Sequence, residues 1–338
     1  MRFAIISLAL LSIILLGCAK ATDPLTVEDK SVLMLENTYQ TVGVPWDMIV
    51  TGSSIFLAED QGGLSIFDRA SGELATRMTR PDEFSYFQNI RQLGYNKFYD
   101  YLYVYDRYGP ARIYVFDVSD IYDIPDFLHL ITGDTDRIHY LYTKSDEEGS
   151  LEVGITYTNS VFRYGVTDYP MYITQEAIQY NMPNAVLNFH IAGQYAYLAA
   201  AQRGLYIFDL ENGSLVSELN MTGEVLDVRV QGDYAYMVAK QEGLLIADIS
   251  DKTNPQWINS KSTVGWAQAV DVEGDYLVVG SGGGGAYLYD IGQDPSDPKL
   301  LQRLTSSETD YVLLVAIENS RVFVVGRYQG ISEYSINP

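Results

Sequence analysis

An all-β fold is what the sequence predicts, and three features carry that prediction. Apolar residues alternate with polar or small ones, as at Val228, Val230, Tyr234 and Tyr236, which is the period of two that a pleated strand requires. No stretch after residue 30 sustains a 3.6-residue apolar period. Glycine is frequent, 28 residues in all, and it closes the alternating runs at turns.

The alternating runs form an internal repeat. Block five contains Gly232-Asp233-Tyr234-Ala235-Tyr236, then Gly243-Leu244-Leu245-Ile246-Ala247-Asp248-Ile249-Ser250, then Pro255. Block four repeats it from Val186 with Gly204-Leu205-Tyr206-Ile207-Phe208-Asp209, and block six from Ala267 with Ala286 to Asp290 and Pro298. Each block reads as four strands: a strand into a Gly-Asp-Tyr turn, a second into a polar or glycine-rich loop, a third ending in Asp, and a fourth after a turn. Block one (Trp46 to Met78), block two (Phe87 to Ile131) and block seven (Tyr311 to Ile336) carry weaker copies. Block three, about Arg137 to Tyr180, is degenerate, and its third strand ends at Gly165 without the Asp. Third strands end at 68, 117, 165, 209, 248, 290 and 335, a period of 39 to 49 residues. Four strands at that period are the mark of a β-propeller blade, so a seven-bladed β-propeller is expected over residues 31–338. Block seven supplies only three strands. Val32 to Thr41 reads as the fourth, and pairing the two termini would remove an open sheet edge.

The first residues read as an export signal. Arg2 is followed by an apolar run from Phe3 to Leu16, too short to span a bilayer comfortably, and then Gly17-Cys18. Residues 1–17 are read as a lipoprotein signal peptide, and 18–30 as an acylated Cys18 with a tether. Cys18 is the one cysteine of the chain, so the mature protein has no intramolecular disulfide. Several acyl chains, palmitate among them, anchor stably where one alone is marginal. Ala19 rather than Asp favours the outer membrane. The expected location is therefore the bacterial envelope, periplasmic or surface-exposed.

The repeats resemble the LVIVD repeat family of bacterial exported propellers, which pairs Gly-Asp-Tyr-Ala-Tyr with Gly-Leu-x-Ile-Ile-Asp-Ile-Ser and then Pro. Block five matches closely at Gly232 to Tyr236 and Gly243 to Ser250, blocks four and six well, and block three departs most. The resemblance implies an exported propeller and no single activity, because a fold does not fix a function.

Charge narrows the partners. With 22 Lys+Arg against 44 Asp+Glu the formal net charge is −22, which opposes nucleic acid and basic docking on anionic lipid. The recurrent Asp68, Asp117, Asp209, Asp248 and Asp290 fall on different blades, each before turn material, and read as caps of their own turns and not as metal ligands. The acidic turns Asp117 to Asp123 and Asp294 to Pro298 lack the full calcium-loop pattern. With three His, and no His-x-His or paired Cys, no zinc centre, cofactor or catalytic residue is assigned. His190 reads as a hydrogen-bonded residue of an inner strand, and Gly282 to Gly285 as a flexible hairpin with no following helix to cradle phosphate.

Register points to one mouth of the central channel. Asp47, Asn188 and Asp227 occupy equivalent inner-strand positions, and Trp46, Gln88, Trp266 and Tyr311 stand where inner strands begin. Polar groups with aromatic walls suit a ligand or peptide, while a plain water-filled channel would need the same polarity. The expected function is a monomeric, lipid-anchored, non-catalytic binding module for a protein or glycan partner. The alternatives are a hydrolase or lyase with a metal in the channel, and a structural envelope component.

Overall fold

Within Ser31–Pro338 blocks one to six each become a four-stranded antiparallel sheet whose consecutive strands are neighbours, and block seven supplies three strands of another. The computed structural model describes residues 32–97, 99–107, 112–127, 129–132, 138–146, 149–156, 160–167, 172–181 and 186–337, with backbone alone between 129 and 181. The signal peptide, Cys18 and the tether lie outside the described residues.

Block one forms Asp47–Val50, Ser54–Ala58, Leu64–Asp68 and Glu73–Met78. Block five forms Asp227–Gln231, Tyr234–Val238, Leu244–Asp248 and Gln256–Lys261. The two middle strands are almost wholly buried, as at Leu244 to Ala247, because both sheet faces meet a neighbouring blade. The apolar clusters therefore run between blades. One joins Tyr197 and Ile207 of block four to Val228, Met237 and Leu245 of block five. Another joins Phe56 and Ile66 of block one to Leu93 and Val104 of block two. Each such side chain contributes roughly 1.5–3 kcal/mol on burial.

Six blades, from blocks one, two, four, five, six and seven, carry described side chains, not the seven expected. The shortfall falls on block three, whose third strand ends at Gly165. Its backbone strands Ile138–Asp146, Gly149–Thr156, Ser160–Thr167 and Tyr172–Asn181 pair as a further sheet, and its side chains lie outside the described residues.

The N-terminal strand, Leu33–Tyr39, pairs antiparallel with Gly330–Ile336 and completes the block-seven sheet. Leu33 and Tyr39 are buried, whereas Met34, opposite Leu33 by strand alternation, and Leu35 face out, and the register shifts between Leu35 and Asn37. The Tyr39 hydroxyl donates to Glu333 Oε2 at 2.6 Å. Arg69 of block one reaches the same carboxylate at 3.0 Å, tying the first blade to the last.

Adjacent blades are also bridged through the loop between second and third strands. Asp60, Ala201, Lys240 and Gly282 take left-handed φ values of 48–50° there. Each bridges the start of the next inner strand, at Ile90, Val225, Ala267 and Val312 respectively. The glycine three residues later is obligatory: a Cβ on Gly243, at φ +77°, would stand 2.3 Å from the Lys261 carbonyl oxygen. Gly282 to Gly285, expected as a flexible hairpin, is this same bridging turn, and a Cβ on Gly284 would lie 1.6 Å from the Val264 oxygen.

Candidate functional site at the channel mouth

Inner strands run beside one another without a backbone ladder, so their outward N–H groups need other acceptors. Side chains in the channel supply them. Asp47 accepts from Met48 N at 2.9 Å and from Leu93 N of the next blade at 2.8 Å. His190 Nδ1 accepts from Val230 N at 3.0 Å. Asp227 accepts from Val228 N at 2.8 Å and from Val270 N at 3.1 Å. Asp271 accepts from Ile317 N at 2.9 Å. Four blade-to-blade joints thus use one device, and His190 fills, as a neutral acceptor, the role that Asp fills elsewhere.

Arg229 sits among these groups, 2.7 Å from Asp227 and 3.4 Å from Asp271. Burial pushes the Asp47 carboxyl up to about 7, against the pull of the Leu93 and Met48 amides. Burial also raises Asp227 and Asp271, with Arg229 pulling each back. His190 is pushed down to about 3 by burial and then by Arg229, so its Nδ1 lone pair is free to accept.

Of the residues expected at the mouth, Trp46, Asp47, Asn188 and Asp227 line one cavity of about 490 Å³. Trp266 lines a separate cavity of about 500 Å³ with Gln202, Glu224 and Lys240, whose ammonium is 5.2 Å from the indole centre. Gln88 and Tyr311 line neither. The Gln88 amide is held by Asp106 at 3.0 Å, and Tyr311 carries the Arg327 guanidinium over its ring at 4.8 Å. Four arginines, Arg91, Arg107, Arg229 and Arg327, share the first cavity; none was singled out as a site residue, although Arg107 and Arg327 lie in loops expected to border the mouth. Their signal was available: in a chain of net charge −22, Arg91 and Arg229 fall on inner strands, and Arg107 and Arg327 in mouth loops.

The recurrent Asp residues cap their own turns, as expected. Asp68, Asp117, Asp209, Asp248 and Asp290 accept the amide two residues on at 2.7, 2.9, 2.7, 2.8 and 2.8 Å. Among the described residues no three His, Cys, Asp or Glu side chains gather closely enough to hold a metal ion.

Radial four-stranded sheets, joined around a channel and closed by both termini, define a β-propeller. Within it the chain carries three LVIVD repeats, at residues 186–226, 222–263 and 264–305, which are blocks four, five and six. No curated protein matches the chain. Among solved structures it is similar to U3-55K, at 13% identity over 89% of this chain and 98% of that one, with a TM-score of 0.70. The β-propeller domain of Cps50 (Swd1) from Myceliophteria thermophila matches at 11% identity over 90% and 99%, with a TM-score of 0.69. The computationally designed Ika8 protein matches at 12% identity over 86% and 83%, with a TM-score of 0.61. At such identities the likeness is one of fold alone.

Proposed function

We propose that the protein is a non-catalytic interaction module that binds a protein or glycan partner at the bacterial envelope through this mouth. It acts as a monomer, with Cys18 as its lipid anchor, and block three completes a ring of seven blades. The single observation that carries the reading is the pair of indoles left open beside the two cavities. Trp46 is 44% and Trp266 47% exposed, one residue before and three residues before their inner strands, whereas the third tryptophan, Trp257, is exposed on an outer strand away from both cavities. Exposed Trp beside Arg is the composition of binding hot spots. The mouth-lining Asp side chains are already engaged in joining blades, which leaves area and cationic groups for contact.

The test is affinity capture from native membranes with the intact chain and with a Trp46→Ala/Trp266→Ala variant of unchanged urea midpoint. A partner held by the intact chain and lost by the variant is the expected result. Equal capture by both would move the contact surface elsewhere, and stoichiometric metal with turnover on glycans or lactones would replace the reading with an enzyme.

A further inference from the structure

We propose that the 490 Å³ cavity takes a small organic oxyanion, a carboxylate or phosphate group of the ligand, held by Arg91, Arg107 and Arg327. This deepens the reading of the mouth as a binding site and rests on it. A protein with 22 cationic against 44 acidic side chains has little reason to gather four arginines around one cavity unless something anionic is met there.

The charges inside do not cancel. Arg229 is matched by Asp227 and Asp271. Both oxygens of Asp47 are taken by backbone amides, and burial raises its carboxyl to about 7. Arg91, Arg107 and Arg327 remain, and among the described residues none of the three has a carboxylate within ion-pair distance. Burial lowers the Arg91 pKa most, and Asp60 draws on it more strongly than Arg107 repels it, though Asp60 stands beyond ion-pair distance.

Two of the three are also pre-oriented. Arg91 lies 3.4 Å over the Trp46 ring, with its Nε on Asn89 Oδ1, and Arg327 lies 4.8 Å over Tyr311. A guanidinium stacked on a ring keeps its terminal N–H groups at its edge, in the fork that matches a carboxylate or phosphate. Holding the fork in place lowers the side-chain entropy lost on binding. The volume falls within the roughly 300–1,000 Å³ of small-ligand sites, so the cavity suits one or two acidic sugar or amino-acid residues.

The experiment is calorimetric titration of the purified full chain in detergent at low salt. The probes are digalacturonate for the carboxylate, glucose 6-phosphate for the phosphate, and maltose as the neutral counterpart. One anion is expected to bind at least roughly tenfold more tightly than maltose, and which one identifies the group. Arg107→Gln/Arg327→Gln, two exposed side chains, weakens that anion roughly tenfold or more at an unchanged urea midpoint. Lys299→Glu, of equal charge change on an outer strand, leaves it alone. Absence of binding by both anions, or equal affinity in the arginine variant, overturns the proposal. If the arginine variant still captures a membrane partner that the tryptophan variant loses, the oxyanion inference fails while the binding reading stands.

Discussion

Replacing Asp227 by Ala measures how much of the ring depends on side chains in the channel. Asp227 is 4% exposed, and the two amides it receives belong to Val228 and Val270, both buried. Removing the carboxylate leaves two buried donors without an acceptor, at about 1–3 kcal/mol each. It also takes one partner from Arg229, which keeps Asp271 at 3.4 Å, so the cost stays below the roughly 3–5 kcal/mol of stranding a buried charge. Against this, the wild-type carboxylate carries a desolvation cost, visible in its raised pKa. A net loss of about 3 kcal/mol is expected, a large share of the roughly 5–15 kcal/mol of a folded domain. Asp227→Asn keeps one acceptor and should lose about half as much. Asp248→Ala, an exposed turn cap, should cost about 1 kcal/mol or less. Urea denaturation followed by tryptophan fluorescence gives the three midpoints. If Asp227→Ala is no more destabilising than Asp248→Ala, the channel carboxylates do not hold the blades together and the account of the inner strands fails.

Three further outcomes are expected. Because burial holds Asp47 at about 7, the folded state keeps a proton that the unfolded chain gives up near pH 4. Stability should therefore fall as pH rises between those values, and Asp47→Asn should flatten the fall; parallel urea midpoints of the two proteins from pH 4.5 to 7.5 would contradict this. Deleting residues 32–41 removes buried Leu33 and Tyr39 and the Tyr39–Glu333 bond, at a cost of at least about 3 kcal/mol, whereas deleting 19–29 should leave the urea midpoint unchanged. Cys18→Ser should move the protein from the membrane fraction to the soluble fraction on cell fractionation, with the same thermal midpoint.

The blades were legible because their pattern is local. A period of two, a Gly before the third strand and an Asp after it can be read in any block that keeps them, and the pairing of both termini follows from counting three strands at one end. The outward face of Leu35 was not legible, since strict alternation from buried Leu33 would turn it inward. At the mouth, register found Asp47, Asn188 and Asp227, yet it could not tell a ligand group from a joint. That distinction depends on which amide of the neighbouring blade each oxygen meets, a contact across 46 residues for Asp47 and Leu93. The gathering of the arginines was not legible because they come from blocks two, five and seven, which meet only across the channel, and no spacing within a block encodes that.

The division of labour in the channel bears on what the mouth can recognise. A carboxylate whose two oxygens each accept a backbone amide has little capacity left for a ligand, and turning it away would expose the joint between two blades. Asp47 and Asp227 are in that position. On the proposed reading, selection among ligands falls to groups that the ring does not need, which are the guanidiniums of Arg91, Arg107 and Arg327 and the half-exposed indoles of Trp46 and Trp266. These groups stand at the starts of inner strands and in the loops beside them, where substitution changes the surface without loosening the blades. An acidic propeller with a cationic mouth would therefore repel most acidic surfaces over long range and admit an anion only at its axis, where the arginines exceed the carboxylates.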